Sequence, residues 1–196
     1  MSRNIALGFL LLAGALLTAP HAKADGIFTA TLLGSNEVPS NASTATGFIT
    51  VTLTGDSLFV DETFSGLIGG PAAAAHIHCC AGPGVAVGVA VPFIGFPAAT
   101  SGTYSHLFDL TLDGTYTAAF ETAHGGTAAG AESALVAALF AGQTYANIHD
   151  ATFPGGEIRG QLIQTPEPST LMLLGMGLTA LVARRKRRTT CSPTNF

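Results

Sequence analysis

Short segments in which apolar and polar residues alternate restrict the fold of this chain more than any other feature. They recur between turns rich in Gly, Pro and Asn, over residues 27–33, 48–54, 57–64, 103–112, 145–149 and 157–163. Successive side chains of a β-strand point to opposite faces, so this period of two predicts half-buried strands. Strands of this length and spacing favour a mainly β domain, an antiparallel Greek-key β-sandwich.

One segment departs from the alternation. Residues 127–141 place Ala131, Leu135 and Leu139 at helical spacing, and Gly142 follows at a position where glycine favours the end of a helix. The pattern predicts one short helix in the β domain.

The first 24 residues have the organisation of a secretory signal peptide. Arg3 precedes an apolar stretch over 5–19, and Ala22-Lys23-Ala24 supplies the small residues of a cleavage site. A membrane-spanning helix needs about 20 apolar residues, and this stretch is shorter. The segment therefore predicts a signal helix that directs export and is removed.

The other end of the chain has a three-part order. Pro166, Glu167 and Pro168 precede an uncharged apolar stretch over 169–183, and a basic cluster follows: Arg184, Arg185, Lys186, Arg187 and Arg188. A basic cluster after an apolar stretch keeps a tail in the cytoplasm, so the pattern predicts a C-terminal hydrophobic helix held transiently in the membrane. A plain tail anchor is the alternative.

This order resembles the PEP-CTERM sorting signal of Gram-negative bacteria. The resemblance implies an exosortase-type enzyme as a partner and delivery to the cell-envelope surface or to the outside. Residues 189–196 continue beyond the basic cluster, where signals of that family usually end. The predicted organisation is a signal peptide (1–24), a β-sandwich domain (25–165) and a sorting or anchor segment (166–196).

The predicted domain is strongly acidic. Residues 25–165 contain 11 Asp and Glu against a single base, Arg159, although the whole chain has a net charge of only −4. Such a domain repels phosphate backbones, which excludes nucleic acid as a partner and favours cations or neutral ligands. We expect Arg159 to pair with Glu157 or with a carboxylate in a turn.

Three histidines form the clearest candidate site. His76 and His78 are two residues apart in one predicted strand, and His149 shares a face of a second strand with Asn147. Three imidazoles from two strands would suit Cu(II) or Zn(II), so copper or zinc is a candidate cofactor, although the sequence does not establish that any is bound. The alternative is that these histidines only donate hydrogen bonds in a polar strip, with Asn147 and Glu157 as partners.

Two adjacent cysteines follow the first histidine pair. In an oxidising compartment Cys79 and Cys80 form either a vicinal disulfide, a soft ligand set for an ion such as Cu(I), or a link between chains. The sequence favours the vicinal disulfide.

Three segments, AAHIHCC, GTAAGAE and YANIHDATFPGGEIRGQL, resemble the CHRD domain over 27–163. This family is named for repeats in chordin and is widespread in secreted bacterial proteins, so the resemblance implies an exported domain and leaves its activity undefined. The His-x-His strand also resembles the copper strand of Cu/Zn superoxide dismutases. No candidate for the bridging histidine and aspartate is present, so dismutase activity is not predicted.

The sequence as a whole predicts a non-enzymatic module of the cell surface or extracellular matrix. No nucleophile elbow, phosphate loop or zincin motif occurs in it. The first alternative is a copper- or zinc-binding or redox protein that uses the three histidines. The second is an exopolysaccharide-binding module, which three tyrosines and no tryptophan support weakly.

Overall fold

The computed structural model describes residues 25–166, together with Met176 and Thr179. The predicted signal helix, Glu167, Pro168, the basic cluster and all other residues of the C-terminal hydrophobic stretch lie outside the described residues. Within the described part, no helix is both long enough and apolar enough to cross a membrane.

The described chain is mainly β, and every strand pair in it is antiparallel. The strands are β1 (Gly26–Leu33), β2 (Thr46–Thr54), β3 (Ser57–Ser65), β4 (Ala74–Cys79), β5 (Val89–Pro92), β6 (Gly102–Asp109), β7 (Thr144–His149), β8 (Ile158–Gln161) and β9 (Ile163–Thr165). The helices are α1 (Ala118–Ala123) and α2 (Ala128–Phe140).

The strands form one sheet in the order β5-β4-β7-β8-β1-β2-β3-β6, and β9 pairs with β1. The sheet curls, and residues from both of its halves contribute to one apolar core. The prediction of an antiparallel, sandwich-like β fold is confirmed. Strands β4 and β7 are neighbours although about a third of the chain separates them, and this pairing positions the candidate site.

The predicted helix is present as α2, and its two ends have the expected chemistry. The Thr127 hydroxyl accepts a hydrogen bond from the Gly130 amide at the N-cap. At the other end Gly142 adopts a positive φ of 65°, and the amides of Gly142 and Gln143 donate to carbonyls of the last turn.

Helix α1 was not predicted, so the expectation of a single helix was wrong. It has six residues, fewer than two turns, and so it shows no helical period that a sequence pattern could reveal. The Thr117 hydroxyl caps it by accepting from the Phe120 amide.

The inward residues of the alternating strands and of α2 fill the core. The largest fully buried side chains are Phe28, Leu32, Ile49, Leu53, Leu58, Ile77, Leu110, Leu135, Leu139, Ile148, Ile158 and Leu162. Polar residues of β4, β7 and β8 occupy the opposite face of their part of the sheet.

Replacing Gly160 by alanine is expected to lower the free energy of unfolding by about 2–3 kcal/mol. A Cβ on Gly160 would lie 2.6 Å from the carbonyl oxygen of Thr31 and 2.8 Å from the Cβ of Ala30, so β8 would have to move away from β1. Denaturant unfolding measures the change. Gly114→Ala is the control because a Cβ there meets no atom of the described chain within 4 Å. An equal, small effect of both substitutions would contradict the prediction.

Candidate metal centre

The register between β4 and β7 brings the three predicted histidines together. His76 lies opposite Asn147, and Ala74 lies opposite His149 in the antiparallel pair, so the polar side chains of both strands share one face. One possible ligand atom from each of His76, His78 and His149 lies within 4.8 Å of the others. The ring centroids of His76 and His149 are 5.0 Å apart, and those of His76 and His78 are 5.6 Å apart.

Backbone carbonyls set the orientation of two of these rings. His78 Nδ1 lies 2.8 Å from the carbonyl oxygen of Val87, and His149 Nδ1 lies 3.0 Å from that of Pro154. A carbonyl oxygen only accepts hydrogen bonds, so each Nδ1 carries a proton and donates it. The Nε2 atoms of both rings then present lone pairs, as in histidines that bind a metal while a carbonyl holds the other nitrogen.

Two other ring nitrogens of the cluster are buried without a hydrogen-bond partner among the described residues. His78 Nε2 and His76 Nδ1 are buried, and neither has a hydrogen-bond partner within the part of the chain that the structure describes. His149 Nε2 lies 2.9 Å from Asn147 Oδ1. With the His149 proton on Nδ1, these two atoms face each other as acceptors, and a cation beside them would satisfy both.

On its other side the Asn147 amide faces the buried carboxyl of Glu37. Burial raises the pKa of Glu37 to about 7, against the opposing effects of the Arg159 charge and of a hydrogen bond from Asn147. The Asn147 amide nitrogen lies on the side of Glu37, and the amide oxygen lies on the side of His149.

Burial also keeps the imidazoles neutral. It lowers the pKa of His76 to about 4, assisted by the neighbouring His149 and His78. Burial is likewise the main cause that lowers the pKa of His78 and of His149. All three rings are therefore neutral imidazoles at neutral pH, which is the form that coordinates a metal.

The spacing of the cluster fits a metal ion after a small closure. Metal–nitrogen bonds of about 2.0–2.1 Å put two ligand nitrogens on one ion no more than about 4 Å apart. The ligand atoms lie within 4.8 Å of one another. Side-chain rotations that move each ligand nitrogen by less than about 1 Å would therefore complete the site. His76 and His149 are only half-buried, which leaves a path for an ion from solvent.

Arg159 supports the same face through stacking. Its guanidinium carbon lies 3.3 Å from the centroid of the Tyr145 ring, and Nη2 donates to the Val85 carbonyl at 2.9 Å. The Tyr145 ring in turn stacks on His78, with centroids 4.5 Å apart and planes nearly parallel. The charge of Arg159 lowers the pKa of Glu37 against the larger effect of burial, and the predicted pairing of Arg159 with a carboxylate in a turn stays a prediction.

The other predicted partner of Arg159, Glu157, is occupied elsewhere. Its carboxylate accepts hydrogen bonds from the Ser43 hydroxyl at 2.5 Å and from the Ile68 amide at 2.8 Å. Glu157 thus connects the loops that contain Ser43 and Ile68, and the predicted Arg159–Glu157 pair was wrong.

Cys79 and Cys80 form a vicinal disulfide at the end of β4. Their sulfur atoms are therefore not available as thiolate ligands. From the disulfide, loop 81–88 crosses the histidine face and places the carbonyls of Val85 and Val87 over Arg159 and His78. Sequence reasoning missed these carbonyls and that of Pro154, because a backbone acceptor has no residue-type signal. It also missed Glu37, which follows a polar loop without a motif.

Comparison with known families places this geometry in context. The model of the CHRD domain matches residues 28–162, a range that contains all three histidines and both cysteines. The chain belongs to the CHRD domain family. The PEP-CTERM protein-sorting motif matches residues 164–188, and both resemblances predicted from the sequence are confirmed. No curated protein and no solved structure matches the chain.

The PEP-CTERM match also establishes that this CHRD protein is exported. It is an exported, exosortase-targeted protein that is processed at the Gram-negative cell envelope and surface. Pro166, Glu167, Pro168 and the basic cluster at 184–188 lie inside the matched range. The signal peptide over 1–24 and the domain boundaries stay predictions.

Proposed function

We propose that this CHRD domain binds one copper(II) or zinc(II) ion at the cell surface through His76, His78 and His149. The observation that carries the proposal is the pair of Nδ1–H groups donated to the carbonyls of Val87 and Pro154. They leave ring nitrogens facing one point, with ligand atoms within 4.8 Å of one another. Neutral imidazole is a preferred ligand of both metals.

The charge of the domain supports the same proposal. Eleven acidic residues and one basic residue between 25 and 165 create a negative field that concentrates cations near the surface. A negative field strengthens cation binding at sites built from oxygen ligands and at sites built from nitrogen ligands alike. The three imidazoles then select a transition metal over calcium or magnesium, which prefer oxygen ligands.

In this proposal the domain is a non-enzymatic component of the envelope or the extracellular matrix. The apolar stretch 169–183 and the basic cluster 184–188 hold it in the membrane transiently, until an exosortase-type enzyme acts. Exopolysaccharide binding is the weaker alternative, because Tyr104, Tyr116 and Tyr145 are all buried and offer no surface for stacking on sugars.

Metal titration of the exported protein, purified without a histidine tag and treated with a chelator, tests the proposal. We expect uptake of about one Zn(II) or Cu(II) per chain, and stabilisation by about 2.7 kcal/mol when free metal is 100 times the Kd. Calorimetry measures the stoichiometry, and thermal unfolding measures the stabilisation. Uptake well below one ion per chain, with an unchanged unfolding transition, would refute metal binding.

A further inference from the structure

A row of exposed apolar side chains crosses the outer face of the sheet. Thr165, Ile27, Thr52, Phe59 and Leu107 lie directly opposite one another on β9, β1, β2, β3 and β6. Residues in register share a face, so these side chains form one continuous row, here called the outer row. Ile27, Phe59 and Leu107 are 38, 42 and 61% exposed.

The side chains around the row show that this is a solvent face. The neighbours of the outer row along each strand, including Phe28, Leu53, Leu58 and Phe108, point to the other face and are buried in the core. Ile163 adds a further apolar side chain, 53% exposed, in the adjacent row.

The chain leaves the sheet from the outer row itself. Thr165 is the last residue of β9, and the match to the sorting motif begins at residue 164. The apolar stretch begins at residue 169, four residues later. Four extended residues span at most about 14 Å, so the outer row stays close to any membrane that this stretch enters.

The charges near the row favour a zwitterionic surface over an anionic one. Asp109 ends β6 two residues after Leu107, and Asp61 lies two residues after Phe59 on the same face. The single base of residues 25–165, Arg159, is instead stacked on Tyr145 at the histidine site. Anionic headgroups would find only carboxylates here, so the attraction has to come from apolar contact.

We infer that the outer row rests on the zwitterionic lipid surface while the sorting segment is in the membrane. Three partly exposed apolar side chains bind lipid weakly by themselves. A short tether converts the contact into an intramolecular one with an effective concentration of the order of millimolar, so a weak contact is sufficient. The contact orients the domain before cleavage, and it does not depend on the metal site.

Lipid quenching of a single tryptophan tests the inference. The chain contains no tryptophan, so Leu107→Trp introduces a unique reporter into the outer row. The full chain is reconstituted, with its sorting segment, in vesicles of phosphatidylcholine brominated near the top of the acyl chains. We expect the fluorescence of Leu107→Trp to be quenched at least about twofold more than that of a control beside Tyr104, nearer the opposite end of β6.

Ile94→Trp is the matched control. Ile94 is 64% exposed, close to the 61% of Leu107, and its carbonyl accepts from the Tyr104 hydroxyl. Tyr104 lies three residues before Leu107 on β6, about 10 Å further along the strand. Phe59→Trp is a second reporter in the outer row, in case Leu107→Trp does not fold.

Two outcomes would overturn the inference. Equal quenching at the outer row and at position 94 would show that the domain has no preferred orientation on the lipid. Absence of quenching at both outer-row reporters, together with crosslinking of position 107 to an exosortase, would assign the row to a protein contact instead.

Discussion

His149→Ala is expected to weaken Zn(II) and Cu(II) binding by at least about 100-fold. His149 contributes one of only three imidazoles, and its ring is already oriented by the Pro154 carbonyl. Its removal leaves only two ligands, His76 and His78, which lie two residues apart on one strand and cannot enclose an ion. Competition with a chelator of known affinity measures the loss. The nitrogen hyperfine pattern of bound Cu(II) should fall from three coupled nitrogens to two.

His106→Ala provides the control for this substitution. His106 lies on β6, between the rings of Tyr104 and Phe108, in the other half of the sheet. We expect this variant to bind metal with the affinity of the unmodified protein. The assignment of the site fails if His149→Ala retains its affinity, or if His106→Ala loses as much.

Glu62→Gln is expected to make the protein more stable above neutral pH, by several kcal/mol at about pH 9. Glu62 is 1% exposed, and neither of its carboxylate oxygens has a hydrogen-bond partner within the described residues. Burial raises the pKa of Glu62 to about 8. Burial, and after it the charge of Glu62, raises the pKa of Tyr104, the opposite residue on β6, to about 12.

The direction of the pH dependence follows from this raised pKa. Between pH 4.5, the ordinary value, and about 8, the folded protein holds a proton that the unfolded chain has released. Stability is therefore lost as pH rises through this window, by about 1.4 kcal/mol for each pH unit. Glutamine has no proton to lose, so the two proteins should be similar near pH 4.5 and diverge as pH increases.

Denaturant unfolding across the pH range measures this difference. Val60→Ala is the control, because Val60 is fully buried on the same face of β3 and does not titrate. Its effect should be the same at every pH. A constant difference between Glu62→Gln and the unmodified protein would contradict a neutral Glu62 at physiological pH.

The structure of the apolar segment 85–93 could not be predicted from its sequence pattern alone. Its continuous run of small apolar residues suits either a buried strand or a packed loop, and the sequence does not distinguish them. The segment contains both a strand and a loop. Val89–Pro92 is strand β5, whereas Val85 and Val87 lie in the loop over the histidine face. The division depends on β5 pairing with β4, which is a contact between strands and not a local preference.

The sequence by itself determined the β class, the helix α2, the strongly acidic domain and the face that His76 and His78 share. Each of these follows from periodicity, capping residues or charge along a continuous segment, where neighbours in the chain are neighbours in space. Only the tertiary structure decided that β4 lies beside β7, so that His149 joins the other two histidines. It also decided that the carbonyls of Val87 and Pro154 orient the rings. Backbone hydrogen bonds between distant segments have no side-chain signature, because every residue type supplies the same carbonyl.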